Sequence, residues 1–342
     1  MGSDVHGARV VAIANQKGGV GKSTTAVSLG AALAEAGQKV LVIDLDPQGN
    51  ASTGLGVPHE SREPNTYDVL SGDASVEEAR VSTQVEGLSA VPATIDLAGA
   101  EIELVSVFSR ETRLRKALEA SREGVDFILL DCPPSLGLLT INALVAAEEL
   151  LVPIQCEYYA LEGLGQLLRN VSLVQQNVNP ALRLTGIVMT MFDPRTKLAE
   201  QVVEDVRTHY GPLVYETIIP RSVRLSEAPG FGEPITVYDP RSRGAECYRA
   251  LAREVMTRPV PGVVDAGLGA PRVGTVPRER PERAAEEFPG EDHGDLGPGM
   301  EVGVGGGEDA AAMQASGQTP VVGEAEGGVA KRWKLMRKGD QG

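Results

Sequence analysis

Residues 15–24 read "NQKGGVGKST" and hold two lysines, Lys17 and Lys22, around a run of glycines. The stretch follows the short apolar run "RVVAIAN" (9–15) and leads into a helix-like segment from Ser23 to Glu35. A glycine-rich turn between a strand and a helix is what a phosphate-binding loop requires. Gly18, Gly19 and Gly21 let backbone N–H groups turn towards phosphates, and the helix N-terminus adds a favourable dipole. Lys22 is placed to meet the β- and γ-phosphates of ATP, and the Ser23 hydroxyl to ligate Mg²⁺. The expected nucleotide contacts of the loop run from Gly18 through Gly19, Val20, Gly21, Lys22 and Ser23 to Thr24. The bland alternative is a glycine-containing turn with no ligand, but GK[ST] directly after a strand argues against it. Gln16 stands where the usual GxxxxGK[ST] pattern has its first glycine. One lysine is enough for a nucleotide phosphate, so Lys17 needs its own explanation.

Outward from this loop, "KVLVID" (39–44), "FILLD" (127–131), "LLVPI" (150–154), "LTGIVMT" (184–190) and "YETII" (215–219) are short apolar runs. They read as strands of a buried parallel sheet. Helix-like segments lie between them: Lys22–Glu35, Arg110–Arg122, Leu161–Asn177 and Lys197–Tyr210. The alternation predicts an α/β fold, a doubly wound, mostly parallel sheet flanked by helices, over residues 9–257. Residues 1–8 read as a flexible N-terminus. The composition changes after Met256, and from Ala284 to Ala330 there are ten acidic residues and no Lys or Arg. Residues 258–330 are expected to be a disordered acidic linker, because they lack the apolar content to offset ordering entropy. The chain then ends in a basic stretch, 331–342, containing "KRWKLMRK" (331–338). A solvated end is the expectation there, and a second DNA contact tethered by the linker is the functional alternative.

The whole chain has 342 residues, 42% hydrophobic content, 4% aromatic content and a formal charge of −15. The length and apolar content suffice for one large α/β domain. Cys132, Cys156 and Cys247 show no CxxC or CxxH spacing, so neither a disulfide framework nor a zinc site is expected. No signal-type apolar run opens the sequence, and no stretch is long and apolar enough to span a bilayer. A reduced, cytoplasmic setting is the expectation.

Two carboxylates, Asp44 and Asp46, fall in "DLDPQGNAS" (44–52), and a third, Asp131, ends the strand of "FILLDCPPS" (127–135). All three lie at the carboxyl ends of strands, where parallel sheets bind ligands. From the residues alone, Asp44 and Asp46 are metal ligands or a helix cap. An apolar strand terminating in Asp fits a position that holds a Mg²⁺-bound water.

The pattern KGGVGKS resembles the deviant Walker A motif of the ParA/MinD group of P-loop ATPases. "DLDPQGNAST", "DCPPSLG", "IIPRSVRLSEAPGFGEPI" (218–235) and "YDPRSRGAECY" (238–248) resemble its chromosomal ParA/Soj branch, and the resemblance covers roughly Arg9 to Met256. It implies a partitioning ATPase with ATP and Mg²⁺ as cofactors. Lys17 would cross a dimer interface to the partner's nucleotide, as an arginine finger does. Asp46 would orient the attacking water, Asp44 would reach Mg²⁺ through water, and Pro220 would flank the adenine. The resemblance also implies an ATP-bound homodimer on non-specific double-stranded DNA, released when a ParB-type partner stimulates hydrolysis. That places the protein on the nucleoid, with no stable membrane association. The alternative is a MinD-like membrane-associated ATPase, for which a different sequence after the second strand and a C-terminal amphipathic helix are expected. A nitrogenase-type iron protein is disfavoured because Cys132, in DCPPS, is not the glycine-flanked cysteine of that family.

An acidic chain can bind DNA only through a local basic patch. Arg195, Arg221, Arg224, Arg241, Arg243, Arg249 and Arg253 crowd the last third of the folded region. Arg195, in "FDPRT", and Arg224, in "PRSVRLSEAP", match the family's DNA-binding arginines. The competing reading pairs them with nearby acids such as Asp193, Glu227 and Asp239.

Overall fold

The computed structural model describes residues 7–258. The first six residues, the linker beyond Arg258 and the basic end at 331–342 lie outside the described residues.

Eight strands form one sheet: β1 (Arg9–Ile13), β2 (Val40–Asp44), β3 (Val81–Ser82), β4 (Leu88–Val91), β5 (Phe127–Asp131), β6 (Glu149–Gln155), β7 (Arg183–Phe192) and β8 (Val214–Pro220). Their order is β3-β4-β2-β5-β1-β6-β7-β8, and all pairs are parallel except the two-residue edge pair β3–β4. The doubly wound, mostly parallel fold expected from the strand–helix alternation is therefore present. β1, β2 and β5 occupy the middle, and β2 and β5 are buried along their whole length. Both faces of these strands must meet apolar side chains, which is why they read as continuous rather than alternating runs.

Each face of the sheet carries its own apolar layer. Helices Lys22–Glu35 and Arg243–Thr257 cover one face, where Leu29, Leu33, Tyr248 and Leu251 are buried. Helices Leu138–Ala146, Ala160–Asn177 and Lys197–Tyr210 cover the other, with Leu144, Leu167 and Val206 fully enclosed. Burying one such side chain contributes about 1.5–3 kcal/mol. The order reverses at β1, whose neighbours β5 and β6 come from opposite halves of the sheet, and such a reversal opens a crevice at the strands' carboxyl ends. Among the described residues no helix is long and apolar enough to cross a membrane.

Two sequence expectations change. The helix expected over Arg110–Arg122 is a 3₁₀ turn, Arg110–Thr112, followed by a short α-helix, Arg113–Leu118. Asn142 of the neighbouring helix accepts from the Leu114 N–H at 3.2 Å and donates to the Arg110 carbonyl at 2.9 Å. These bonds draw the first turn out of α-helical pairing. β4, "LSAV", has weak β-branched character and escapes the sequence reading, yet all four of its residues are buried.

Gly186 on β7 marks the tightest packing. A Cβ there would fall 1.9 Å from Tyr215 Cε2, and the Tyr215 ring also carries the Arg258 guanidinium 3.9 Å above it. Gly186→Ala is expected to destabilise the fold by about 1–3 kcal/mol through overpacking. Urea unfolding of the two proteins measures it, and an unchanged midpoint would show that Tyr215 moves aside freely.

Candidate active site

The loop after β1 is fixed at both ends before it reaches any ligand. Asn15 donates to the Pro153 carbonyl at 2.7 Å and accepts from the Lys17 N–H at 3.0 Å, tying the loop to β6. Thr190 on β7 donates to the Val20 carbonyl at 2.8 Å. Gly19 and Gly21 take left-handed angles, φ 75° and 88°, which a side chain would resist. Gly21 is the N-cap of the Lys22–Glu35 helix, with no side-chain cap and no acid in the first turn. The helix thus presents its first N–H groups and positive dipole end to the crevice.

The two lysines part company here. Lys22 is only 6% exposed, and its ammonium donates to the Lys17 carbonyl at 3.3 Å across the loop. Burial lowers its pKa, while the charges of Asp131 and Asp46 act to raise it. Lys17 points away from this cradle. Its ammonium lies 2.5 Å from a Glu157 carboxylate oxygen of the same chain, and its side chain is 43% exposed.

Strand register brings the carboxylates together. Asp44 and Asp131 are paired positions at the ends of β2 and β5, and Ile13, at the end of β1, is the other neighbour of Asp131. Asp44 accepts from the Ser52 N–H at 2.8 Å, the Ser52 hydroxyl at 2.7 Å and the Asp46 N–H at 3.1 Å. Burial nevertheless pushes its pKa up to about 6. Asp131 is fully buried, and burial followed by the Asp44 charge pushes its pKa well up. Neither Asp131 oxygen has a hydrogen-bond partner among the described residues; the Ser23 hydroxyl lies near it and favours the charged form, without hydrogen-bond geometry. A buried carboxylate with two orphaned oxygens beside a serine fits a hydrated divalent cation. Asp46 is 6% exposed, and one of its oxygens accepts from the Gln48 N–H at 3.0 Å.

A cleft of about 430 Å³ opens above these groups, lined by Gly18, Gly19, Gly21, Lys22, Ser23, Thr24 and Asp46 among others. An adjoining hollow of about 460 Å³ is lined by Pro220 and shares Gly21, Thr24, Met191 and Leu225 with it. Of the residues expected from sequence, Lys17 and Val20 line neither cavity. Val20 is buried, and so are Asp44 and Asp131, which also line neither cavity; Asp131 lies close to Lys22 and Ser23. Arg195 and Arg224 lie apart, Arg195 on the loop after β7 and Arg224 on the short helix Val223–Glu227 after β8, and the two strands are joined by the Phe192–Pro220 pairing. The Arg195 guanidinium is 84% exposed and bonded to Asp193 at 2.6 and 2.8 Å, which holds the Asp193 pKa down at about 2. Arg224 is 59% exposed, 3.2 Å from Glu227 and 3.6 Å from Asp239. The ion pairs weighed against these arginines thus exist, in exposed positions where they are weak. The sequence reading missed Ser52, which lay inside a motif already singled out, and Glu157. It also missed Met191, which lines both hollows and takes a left-handed φ of 53° that leaves no mark in sequence.

A buried lysine inside a glycine loop, with aspartates at the two neighbouring strand ends, defines a P-loop nucleoside-triphosphate-binding protein. The comparisons with known proteins agree. A family model described as "AAA domain" matches residues 8–184. The chain is 58% identical over 247 residues to the sporulation initiation inhibitor protein Soj of Bacillus subtilis, covering 72% of this chain and 98% of that protein. It is 54% identical over 252 residues to the chromosome partitioning protein ParA of Caulobacter vibrioides, covering 73% and 94%. A solved structure described as cobyrinic acid a,c-diamide synthase from Mycobacterium smegmatis, with bound ADP and magnesium, is 42% identical with a TM-score of 0.64, covering 73% of this chain and 94% of that one. The chain belongs to the ParA/Soj family of chromosome-partitioning ATPases. It is an ATPase of the P-loop class, with ATP and Mg²⁺ as nucleotide and metal.

Asp131→Asn is expected to stabilise the nucleotide-free protein increasingly as pH rises, because the amide cannot acquire the charge that burial opposes there. A carboxyl whose pKa is raised on folding contributes stability at low pH that is lost as pH rises through its folded value. Asp44 loses its share near pH 6, and Asp131 at higher pH. The stability gap between Asp131→Asn and the parent should therefore widen with rising pH, while Mg²⁺-dependent turnover falls. Thermal melts in EDTA from pH 5 to 8 check this, and a pH-independent gap would refute it.

Proposed function

We propose that two copies of the chain close on two ATP molecules, and that the closed dimer binds DNA without sequence preference until a ParB-type partner triggers hydrolysis. The observation that carries this reading is the division between the lysines. Lys22 fills the cradle of its own subunit, and Lys17 stands half-exposed at the rim. Its pair with Glu157 is an exposed one, worth about 0–1 kcal/mol, so exchanging that carboxylate for a partner's phosphate costs little.

In this reading Gly18, Gly19, Val20, Gly21 and Thr24 offer backbone N–H groups to the phosphates, and Lys22 neutralises them. Ser23 ligates Mg²⁺, while Asp44 and Asp131 hold its water ligands; the cation supplies charge neutralisation at the β- and γ-oxygens. Asp46 orients the attacking water from the mouth of the cleft, and Pro220 flanks the adenine in the adjoining hollow. Lys17 of each subunit meets the charge that develops on the other's γ-phosphate. Arg195 and Arg224 form half of a basic patch, and dimerisation doubles the number of phosphates neutralised, on which affinity depends steeply. The protein then resides in the cytoplasm on nucleoid DNA, without stable membrane association. Repeated binding and release would move replicated DNA apart.

Binding to a random-sequence duplex with ATP, with ADP and without nucleotide tests the switch. Tight binding with ATP alone is expected, and equal binding in all three states would break the link between closure and DNA. Asp46→Ala should keep ATP-dependent DNA binding and lose turnover by at least about a hundredfold. Unimpaired hydrolysis would remove Asp46 from its role. Arg195→Ala and Arg224→Ala should each lower the slope of log affinity against log salt by about 0.9 for every phosphate the variant no longer neutralises. An unchanged slope would leave these arginines as surface ion pairs.

A further inference from the structure

Arg62 is the only buried arginine among the described residues, 2% exposed, and it belongs to none of the motifs that carry the nucleotide site. It follows the 3₁₀ turn His59–Ser61, and its guanidinium reaches back to the loop that carries Asp46. Nε and Nη2 donate to the Val57 carbonyl at 3.1 and 3.0 Å, and Nη1 donates to the Ala93 carbonyl at 3.3 Å. Nη2 also donates to the Thr53 hydroxyl at 2.9 Å. One planar fork thus spans the helix Asn50–Gly54, the turn after it and the loop that follows β4. All of these acceptors are neutral. The partly buried Arg9, by contrast, is held by both oxygens of Glu149. Burial lowers the Arg62 pKa and the Asp44 charge acts to raise it, and a guanidinium stays charged in either case.

What the fork holds is the backbone around Asp46. The Asp46 carbonyl accepts from the Gly49 N–H at 2.8 Å, which closes a turn, and Gly49 takes a left-handed φ of 62°. The Gly49 carbonyl in turn accepts from the Thr53 hydroxyl at 2.9 Å, the same hydroxyl that accepts from Arg62. Arg62 Nη1 lies so close to Gly49 that a Cβ there would fall 2.6 Å from it. Ala93 takes Arg62 on its carbonyl, while its N–H donates to the Ser52 hydroxyl oxygen at 2.9 Å. Ser52 is the residue that bonds Asp44. The turn of Asp46 and the partner of Asp44 therefore both hang from one buried cation. Arg62 itself lines neither the cleft nor the adjoining hollow, so any effect it has on turnover passes through the loop.

We propose that Arg62 is a positioning residue for ATP hydrolysis: its fork holds the loop from Asp46 to Thr53 so that the Asp46 carboxylate stays aimed into the cleft. A reacting group displaced by about 1 Å costs about a hundredfold in rate, so a brace with no ligand contact bears on turnover. The catalytic consequence rests on the role proposed above for Asp46; the bracing of the loop does not.

The test compares the full chain with its Arg62→Lys variant. The ammonium keeps the charge but cannot bond Thr53, Val57 and Ala93 in the fixed geometry of the fork. In Arg62→Lys, kcat should fall by at least about tenfold, while KM for ATP and the affinity for a fluorescent ATP analogue shift by less than about threefold. Amide hydrogen exchange over residues 46–54 should quicken by at least about tenfold, with exchange over β5 unchanged, which separates a loosened loop from a weakened fold. Thr53→Val removes the acceptor between Arg62 and Gly49 and leaves the buried charge in place. It should show the same pattern and serves as the probe if Arg62→Lys does not fold. Arg122→Lys, which alters a guanidinium paired with Glu148, should change neither turnover nor exchange. In an Asp46→Ala background, Arg62→Lys should deepen the loss of turnover by less than about twofold, because the group it positions is gone. Unmoved exchange over 46–54, or a full tenfold loss on top of Asp46→Ala, overturns the proposal. Undiminished turnover in Asp46→Ala alone would overturn the reading of Asp46 and with it the catalytic half of this inference, while the exchange data still decide the brace.

Discussion

Two carboxylates buried side by side at the ends of β2 and β5 set the terms for everything around them. Asp44 and Asp131 are register partners in a sheet that gives them no water, and neither can be charged there without compensation. Ser52 and the Asp46 N–H satisfy Asp44 from the protein itself. Asp131 has only the nearby Ser23 hydroxyl and the charge of Lys22 in its favour, and burial in turn lowers the pKa of that lysine. Protonation relieves such a cluster in the empty site, and a hydrated divalent cation would relieve it with both carboxylates charged. The fold holds the unfinished arrangement because the strands are locked by apolar layers on both faces.

The same constraint explains the division of labour between the lysines. A second ammonium inside the cradle would meet the Lys22 charge at short range in a poorly solvated place. Lys17 instead turns outward to Glu157, at a rim where water screens it. A cation held at Glu157 in an exposed pair is available to a group outside its own cradle, which is the physical basis for the proposed role in a partner's site. Arg195 and Arg224 follow a similar economy. Each is held by a nearby acid while the chain is alone, in exposed pairs that phosphate can replace at little cost.

The loop that carries Asp46 shows how a motif becomes a working part. Its hydrogen bonds run inward, from Ser52 to Asp44 and from Gln48 to Asp46, and the buried Arg62 braces its far side through the Val57 and Ala93 carbonyls and the Thr53 hydroxyl. Held in this way, Asp46 stays in the lining of the nucleotide cleft.

By itself the sequence determined the parallel sheet, the phosphate loop and the three aspartates, because each depends on short-range chemistry. Buried strands must be apolar along their length, left-handed turns favour glycine, and carboxylates at strand ends stand out against an apolar run. Its reading failed where a distant residue decides local structure. Asn142 reshapes the helix expected at Arg110–Arg122, and β4 is a strand through burial rather than through its own β-propensity. Only the tertiary structure placed Asp44 against Asp131, turned Lys17 to Glu157, put Met191 in the lining of both hollows and set Arg62 behind the Asp46 loop. These facts depend on register and on contacts between segments far apart in the chain, and such contacts leave no periodic trace in one sequence.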